Sequence, residues 1–200
     1  GKTLIIRLIL STSGILGKKV SVAAPTGRAA KRINELCDTD AVTVHRLLGA
    51  QFFENTGSSV FTKNEEEPLD CDLLILDEAS MLDIRLFDAV LKALPEEASL
   101  VLIGDADQLP SVGPGNVLKS LIDTQLVDTV KLTKIYRQSE TGNIVSFAHM
   151  INRGEKPPFS KNENGFFRIK ATSPELIMET VAELCLSRLP LKMNIPANDI

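Results

Sequence analysis

Leu73-Leu74-Ile75-Leu76-Asp77-Glu78-Ala79-Ser80 is the stretch on which the fold of this 200-residue chain turns. Four consecutive apolar residues, without alternation, mark a strand buried on both faces. The run ends on two adjacent carboxylates, and a helical pattern follows from Ile84 to Leu94. The same succession flanks it. Upstream, Val20-Ser21-Val22-Ala23-Ala24 is short, apolar and stopped by Pro25, and it leads into a helix-like stretch from Arg28 to Cys37. Downstream, Leu100-Val101-Leu102-Ile103 runs into a loop rich in Gly, Asp and Pro, Gly104 to Gly115. Apolar strands alternating with helices predict an α/β fold, a parallel sheet with helices on both faces.

Outside this core, Gly1-Lys2-Thr3 opens a mostly apolar helix over residues 4–16. Gln51-Phe52-Phe53-Glu54, then Asn55-Thr56-Gly57, then Ser58 to Thr62 read as a β-hairpin with Gly in its turn, inserted into the sheet domain over about residues 50–68. After Arg137-Gln138 the pattern changes to a helix from about Asn143 to Asn152, a Pro157-Pro158 loop, a strand at Phe166 to Ile169 and a helix from Pro174 to Leu189. The expected division is a first domain over 1–135 and the beginning of a second over 136–200, with the chain cut from a longer protein at both ends.

Composition narrows the class. With 44% hydrophobic and 24% charged residues the chain reads as an ordinary globular protein. Neither a run of about 18 apolar residues nor a secretory leader is present, so no membrane is expected and the expected location is cytoplasmic. Cys37, Cys71 and Cys185 are too widely spaced for a zinc site or a disulfide framework and read as bystanders. A formal net charge of -4 speaks against holding nucleic acid by a dense basic surface. It leaves open a track held by backbone N–H groups, hydroxyls and a few arginines.

The chemistry rests on four segments. Gly1-Lys2-Thr3 matches the end of a phosphate-binding loop, in which lysine reaches the β- and γ-phosphates and the hydroxyl binds Mg²⁺. Alone, it equally describes an ordinary chain terminus. Asp77-Glu78 stands at the carboxyl end of a strand, where open α/β sheets bind ligands. There an aspartate can hold Mg²⁺ and a glutamate can deprotonate a water. The competing reading is a helix start, where acids complement the dipole, but that does not account for the apolar strand and the upstream lysine together. Gln108, in Gly104-Asp105-Ala106-Asp107-Gln108, can hydrogen-bond a γ-phosphate or belong to a plain polar turn. Arg137, in Ile135-Tyr136-Arg137-Gln138, can act as an arginine finger or be a solvated loop residue.

Taken in order, Gly1-Lys2-Thr3, Ala24-Pro25-Thr26-Gly27-Arg28-Ala29-Ala30, Thr43-Val44-His45-Arg46-Leu47-Leu48, Leu73 to Ser80, Gly104 to Gly115 and Ile135 to Gln138 closely resemble the RecD-like group of superfamily 1 helicases, over nearly the whole chain. That resemblance implies a P-loop NTPase (RecA-like) fold, with the start of a second RecA-like motor domain, and an ATP-dependent DNA helicase using ATP and Mg²⁺. It implies that Gly1, Lys2 and Thr3 bind the nucleotide, Thr3 and Asp77 hold Mg²⁺, Glu78 activates water, Gln108 senses the γ-phosphate, and Arg137 stabilises transition-state charge. Pro25, Thr26, Gly27 and Arg28, with Thr43, His45 and Arg46, would contact single-stranded DNA. The hairpin would be the pin that splits the duplex. Implied partners are single-stranded DNA and duplex junctions, with helicase or nuclease subunits as further candidates.

His45 has a structural alternative as a cap or core residue, and His149 reads as structural. Phe52, Phe53 and Phe61 are either wedge residues or cross-strand pairs. Because the glycine-rich half of the P-loop and the later motifs fall outside the 200 residues, the chain by itself is expected to hydrolyse ATP poorly. The rival functions are an RNA helicase, another P-loop ATPase, or a binding module without turnover.

Overall fold

The computed structural model describes residues 1–53, 58–132, 143–158 and 169–199. The chain divides into two compact units, Gly1–Tyr136 and Arg137–Ile200.

The first unit is built on a sheet of four parallel strands. Its strands are β1 (Val20–Ala24), β2 (Val42–Thr43), β5 (Leu73–Leu76) and β6 (Ser99–Leu102), in the order β2-β1-β5-β6. The register is tight: Ala24 lies opposite Thr43, Ala23 opposite Leu76, and Leu76 opposite Leu102. Strand side chains alternate between faces. Ala23, Leu74 and Leu76 therefore enter one core, and Val22, Ala24 and Ile75 the other. Leu74, Ile75 and Leu76 are fully buried, each contributing roughly 1.5–3 kcal/mol. This is why the stretch carries no polar residue before Asp77.

Helices close both faces. Ile6 of α1 (Lys2–Ile15) and Ala30 and Ile33 of α2 (Gly27–Cys37) cover one. Val44 of α3 (Val44–Leu47), Phe87, Val90 and Ala93 of α4 (Ile84–Ala93), and Val117 and Leu118 of α5 (Val117–Thr124) cover the other. Each of α2, α3 and α4 starts where a side-chain oxygen accepts from an N–H of its first turn: Thr26 from Ala29, Thr43 from Arg46, and Asp83 from Leu86. Asn34 fixes the entry to β2 by accepting from the Ala41 N–H at 2.6 Å and donating to its carbonyl at 3.0 Å.

Strands β3 (Ala50–Phe53) and β4 (Ser58–Phe61) pair antiparallel, with Ala50 opposite Phe61. The expected hairpin is present, and its Asn55-Thr56-Gly57 turn lies outside the described residues. At its root Gly49 has φ +64, and a Cβ there would collide with Thr62 Oγ1. The Lys63 N–H donates to the Leu48 carbonyl at 3.1 Å.

Among its described residues the second unit is helical. It contains α6 (Asn143–Asn152), α7 (Pro174–Glu183), a π-turn over Leu184–Arg188 and α8 (Leu189–Met193). The sequence pattern puts one helix over 174–189; the helical path instead continues to Met193. Pro190 has no N–H to donate, and the widened turn before it absorbs the change of register. Of the strand expected at Phe166 to Ile169, only Ile169 is described, and it is irregular.

Candidate functional site

The carboxyl edge of the sheet sets the expected site residues in a row. At the end of β2 stand Thr43, His45 and Arg46; at the end of β1, Pro25, Thr26, Gly27 and Arg28; at the end of β5, Asp77 and Glu78; and beyond β6, the loop with Gln108. Neighbouring strands lie about 4.8 Å apart, so the β2 and β1 segments sit side by side. Only one strand spacing separates the β1 segment from the carboxylates.

Lys2 closes this row from above. Its Nζ meets Glu78 Oε2 at 3.3 Å, with both side chains about 30% exposed. That contact brings the first turn of α1, and Thr3 with it, to the end of β5. A fourteen-residue helix presents unpaired N–H groups and partial positive charge at that end. Cys37 ties the far end of α2 to the same place, its thiol 3.8 Å from the Thr3 carbonyl oxygen. Burial pushes that thiol's pKa up, so it stays a neutral packing group.

Burial also pushes Asp77 above the ordinary carboxyl range. A hydrogen bond from the Glu78 backbone opposes this, the Glu78 charge adds to it, and Lys2 and Arg32 oppose it. Asp77 Oδ1 is buried and has no hydrogen-bond partner. A buried carboxylate oxygen left without a partner is costly unless it serves a cation. No group of three or more His, Cys, Asp or Glu side chains suited to an all-protein metal cage occurs among the described residues. One carboxylate and one hydroxyl, completed by phosphate oxygens and water, is the donor set Mg²⁺ takes at nucleotide sites, and Asp77 with Thr3 fits it.

Glu78 itself has φ 51, a left-handed conformation that a non-glycine residue adopts only when its surroundings enforce it. The distortion turns the chain out of β5 into a 3₁₀ turn, Ala79–Met81. It places the Glu78 carboxylate towards Lys2 and the Ala79 N–H against the Ile103 carbonyl at 2.9 Å.

Gln108 does not join the carboxylates. Its amide nitrogen is 3.4 Å from Asp105 Oδ2, its backbone N–H donates to the Asp105 carbonyl at 3.1 Å, and it is exposed. Asp105 also accepts from the Asp107 N–H. Arg137 lies outside the described residues.

Among the expected nucleic-acid contacts, Gly27, Arg28, His45 and Arg46 are exposed, and Pro25, Thr26 and Thr43 half-buried. Thr26 and Thr43 cap their helices as acceptors, which leaves each hydroxyl proton free to donate elsewhere. The His45 ring lies 6.0 Å from that of Phe61, tilted by 52°. Phe61 in turn packs on the core, so this aromatic belongs to the hairpin root. His149 is exposed in the last turn of α6, in the second unit and so outside the stretch of sequence that carries the row of expected site residues. Three residues escaped the sequence reading. Arg32 and Asp105 act through charge and a turn, which leave no pattern; Ser80, inside the quoted strand-end motif, passes for a small filler.

Comparison with known proteins places this geometry. The family model described as AAA domain matches residues 1–171. Over 157 residues the chain is 41% identical to the ATP-dependent RecD2 DNA helicase of Deinococcus radiodurans, an alignment covering 78% of this chain and 21% of that protein. It is 32% identical over 155 residues to the RecBCD enzyme subunit RecD of Mycobacterium tuberculosis, covering 68% and 26%. A solved structure of Pif1 helicases at forked duplex DNA superposes with TM-score 0.54 and 27% identity, over 78% of this chain and 42% of that one. Bacteroides Pif1 bound to single-stranded DNA shares the fold, with TM-score 0.53 and 24% identity over 94% and 50%. The chain thus spans about a fifth to a quarter of the curated relatives it matches.

Proposed function

This chain belongs to the AAA domain family, and from that premise we propose that it is the motor core of an ATP-dependent DNA helicase. The observation that carries the proposal is the end of β5: a lysine paired with one carboxylate at 3.3 Å, beside a second carboxylate with a buried, unpartnered oxygen. A lysine beside two carboxylates at a strand end suits a nucleoside triphosphate with its metal ion, and the relatives' names point the same way.

In the proposed reaction, Lys2 and the first-turn N–H groups of α1 hold the phosphates. Thr3 and Asp77 would hold Mg²⁺, which supplies charge neutralisation on the phosphate oxygens. Water attacks the γ-phosphorus, its proton passes to the Glu78 carboxylate, and the bond from the γ-phosphorus to the bridging oxygen breaks to release ADP and phosphate. Gln108 reads the γ-phosphate, and we read the second unit as the start of a second motor domain. Pro25 to Arg28 and Thr43 to Arg46 grip single-stranded DNA one or two strand spacings away, so a change at the phosphates has a short path to the track. The hairpin splits the duplex. Such a protein works inside the cell, where its track is. It takes partner subunits, as the mycobacterial relative's name indicates for that protein.

The test is ATP hydrolysis by the intact protein with single-stranded DNA, with RNA, and with neither. Expected are strong stimulation by DNA and a loss of at least ~10²-fold in kcat for Glu78→Gln with nucleotide binding retained, the range for removing a general base. Equal stimulation by RNA would move the track assignment to RNA, and turnover indifferent to either would leave only a P-loop ATPase.

A further inference from the structure

Ser80 is a buried hydroxyl that the proposed mechanism does not use. It is 5% exposed, and its Oγ has no hydrogen-bond partner. A buried hydroxyl without a partner is a penalty that alanine would avoid. It is the middle residue of the 3₁₀ turn that leaves the strained Glu78, so two local costs fall within three residues of the catalytic carboxylates. Costs concentrated in this way mark function more often than accident.

What lies against Ser80 is the root of the Gln108 loop. A Cβ on Gly104 would stand 3.1 Å from the Ser80 nitrogen, 3.2 Å from the Ala79 nitrogen and 2.6 Å from Leu118 Cδ2. Gly104 is thus a close approach of two backbones, pinned on one side by the Ala79 N–H to Ile103 hydrogen bond. Four residues on, Gln108 is held by Asp105 and stands apart from Lys2 and Glu78. To reach a γ-phosphate beside Lys2, Gln108 has to leave Asp105; its loop meets the Ser80 backbone at Gly104, and Ser80 Oγ is the buried hydroxyl without a partner among the described residues.

We infer that Ser80 is a positioning residue for Gln108: its hydroxyl bonds the backbone of the 104–108 loop when Gln108 leaves Asp105 for the nucleotide. The inference rests on the nucleotide reading above. It gives a use to a buried hydroxyl that has no partner in the parked arrangement.

The experiment uses the intact protein with Ser80→Ala, Ser80→Cys, Gln108→Ala and the Ser80→Ala/Gln108→Ala double variant. Thermal midpoint, binding of a fluorescent ADP, and kcat and KM for ATP are measured with single-stranded DNA present. Expected for Ser80→Ala are an unchanged or higher midpoint, ADP affinity and KM within twofold of the parent, and kcat at least tenfold lower. Ser80→Cys, with its weaker donor, falls between. In the double variant the serine change adds nothing to the glutamine change, as for two residues acting as one unit. A kcat within twofold of the parent, or independent additive losses, overturns the inference. So does a joint fall of midpoint, affinity and kcat, which would make Ser80 structural. A parent protein that neither binds the ADP probe nor hydrolyses ATP removes the nucleotide reading itself, a result separable from all of these.

Discussion

At Asp77 burial and charge oppose one another, and the outcome is measurable. Its carboxyl is raised above the ordinary value, chiefly by burial. A carboxyl with a folded pKa above its unfolded one stabilises the fold below the unfolded value, and that contribution is lost as pH rises through the folded value. Ionised Asp77 therefore subtracts from stability at neutral pH. Asp77→Asn should raise the melting midpoint at pH 7. The gain should vanish as pH falls below the ordinary carboxyl range, and Mg²⁺ with ADP should stabilise the parent but not the variant. A lower midpoint for the variant at pH 7 would mean that the carboxylate is satisfied in the apo fold and is no metal ligand in waiting. The residue types here were readable from the strand that delivers them. The left-handed Glu78, the orphan oxygens and the parking of Gln108 on Asp105 were not, because each depends on which backbone comes to rest beside which.

Among the elements, those with a strong period were the legible ones. Apolar runs gave β1, β5 and β6, with Ser21 and Ser99 their only polar members, since a strand covered on both faces has few polar positions to spare. Strand β2, two residues long, and α3, four residues long, fall below any periodicity; they exist because Asn34 clips Ala41 and Thr43 caps the turn after it. The hairpin was visible as an insertion, but its anchorage was not. That anchorage is Gly49, with positive φ and no room for a Cβ beside Thr62. Gly49→Ala should cost at least ~1–2 kcal/mol from the left-handed backbone alone, and more from the collision. Hydrogen exchange should show faster exchange for the Ser58–Phe61 strand while the Leu73–Leu76 amides keep their protection. A second change, Thr62→Ala, should return the collision part only. Equal loss of protection in both strands would mean that the hairpin is integral to the sheet domain rather than an attachment to it.

For the molecule as a whole the balance of charge decides how the track is held. Twenty-two basic residues against 26 acidic ones leave a net -4, so no general field draws a polyanion to this chain. Under the proposed function, binding would come from local contacts at the β1 and β2 ends, where Arg28 and Arg46 are exposed beside the two capping hydroxyls. A cation that neutralises one phosphate of a single strand contributes about -0.7 to the slope of log affinity against log salt. Two arginines therefore predict a slope of about -1.4. Arg28→Ala should weaken DNA binding and bring that slope to about -0.7, whereas Thr26→Ser should keep both the helix cap and the slope. Fluorescence anisotropy of a labelled oligothymidine between 50 and 300 mM salt measures this directly. A slope of -4 or steeper would mean that several further cations bear on the track, and the grip would then have to be sought away from the β1 and β2 ends. A shallow slope that Arg28→Ala halves would fix the grip one strand spacing from the carboxylates, close enough for a shift at Lys2 and Glu78 to be felt on the DNA without a long relay.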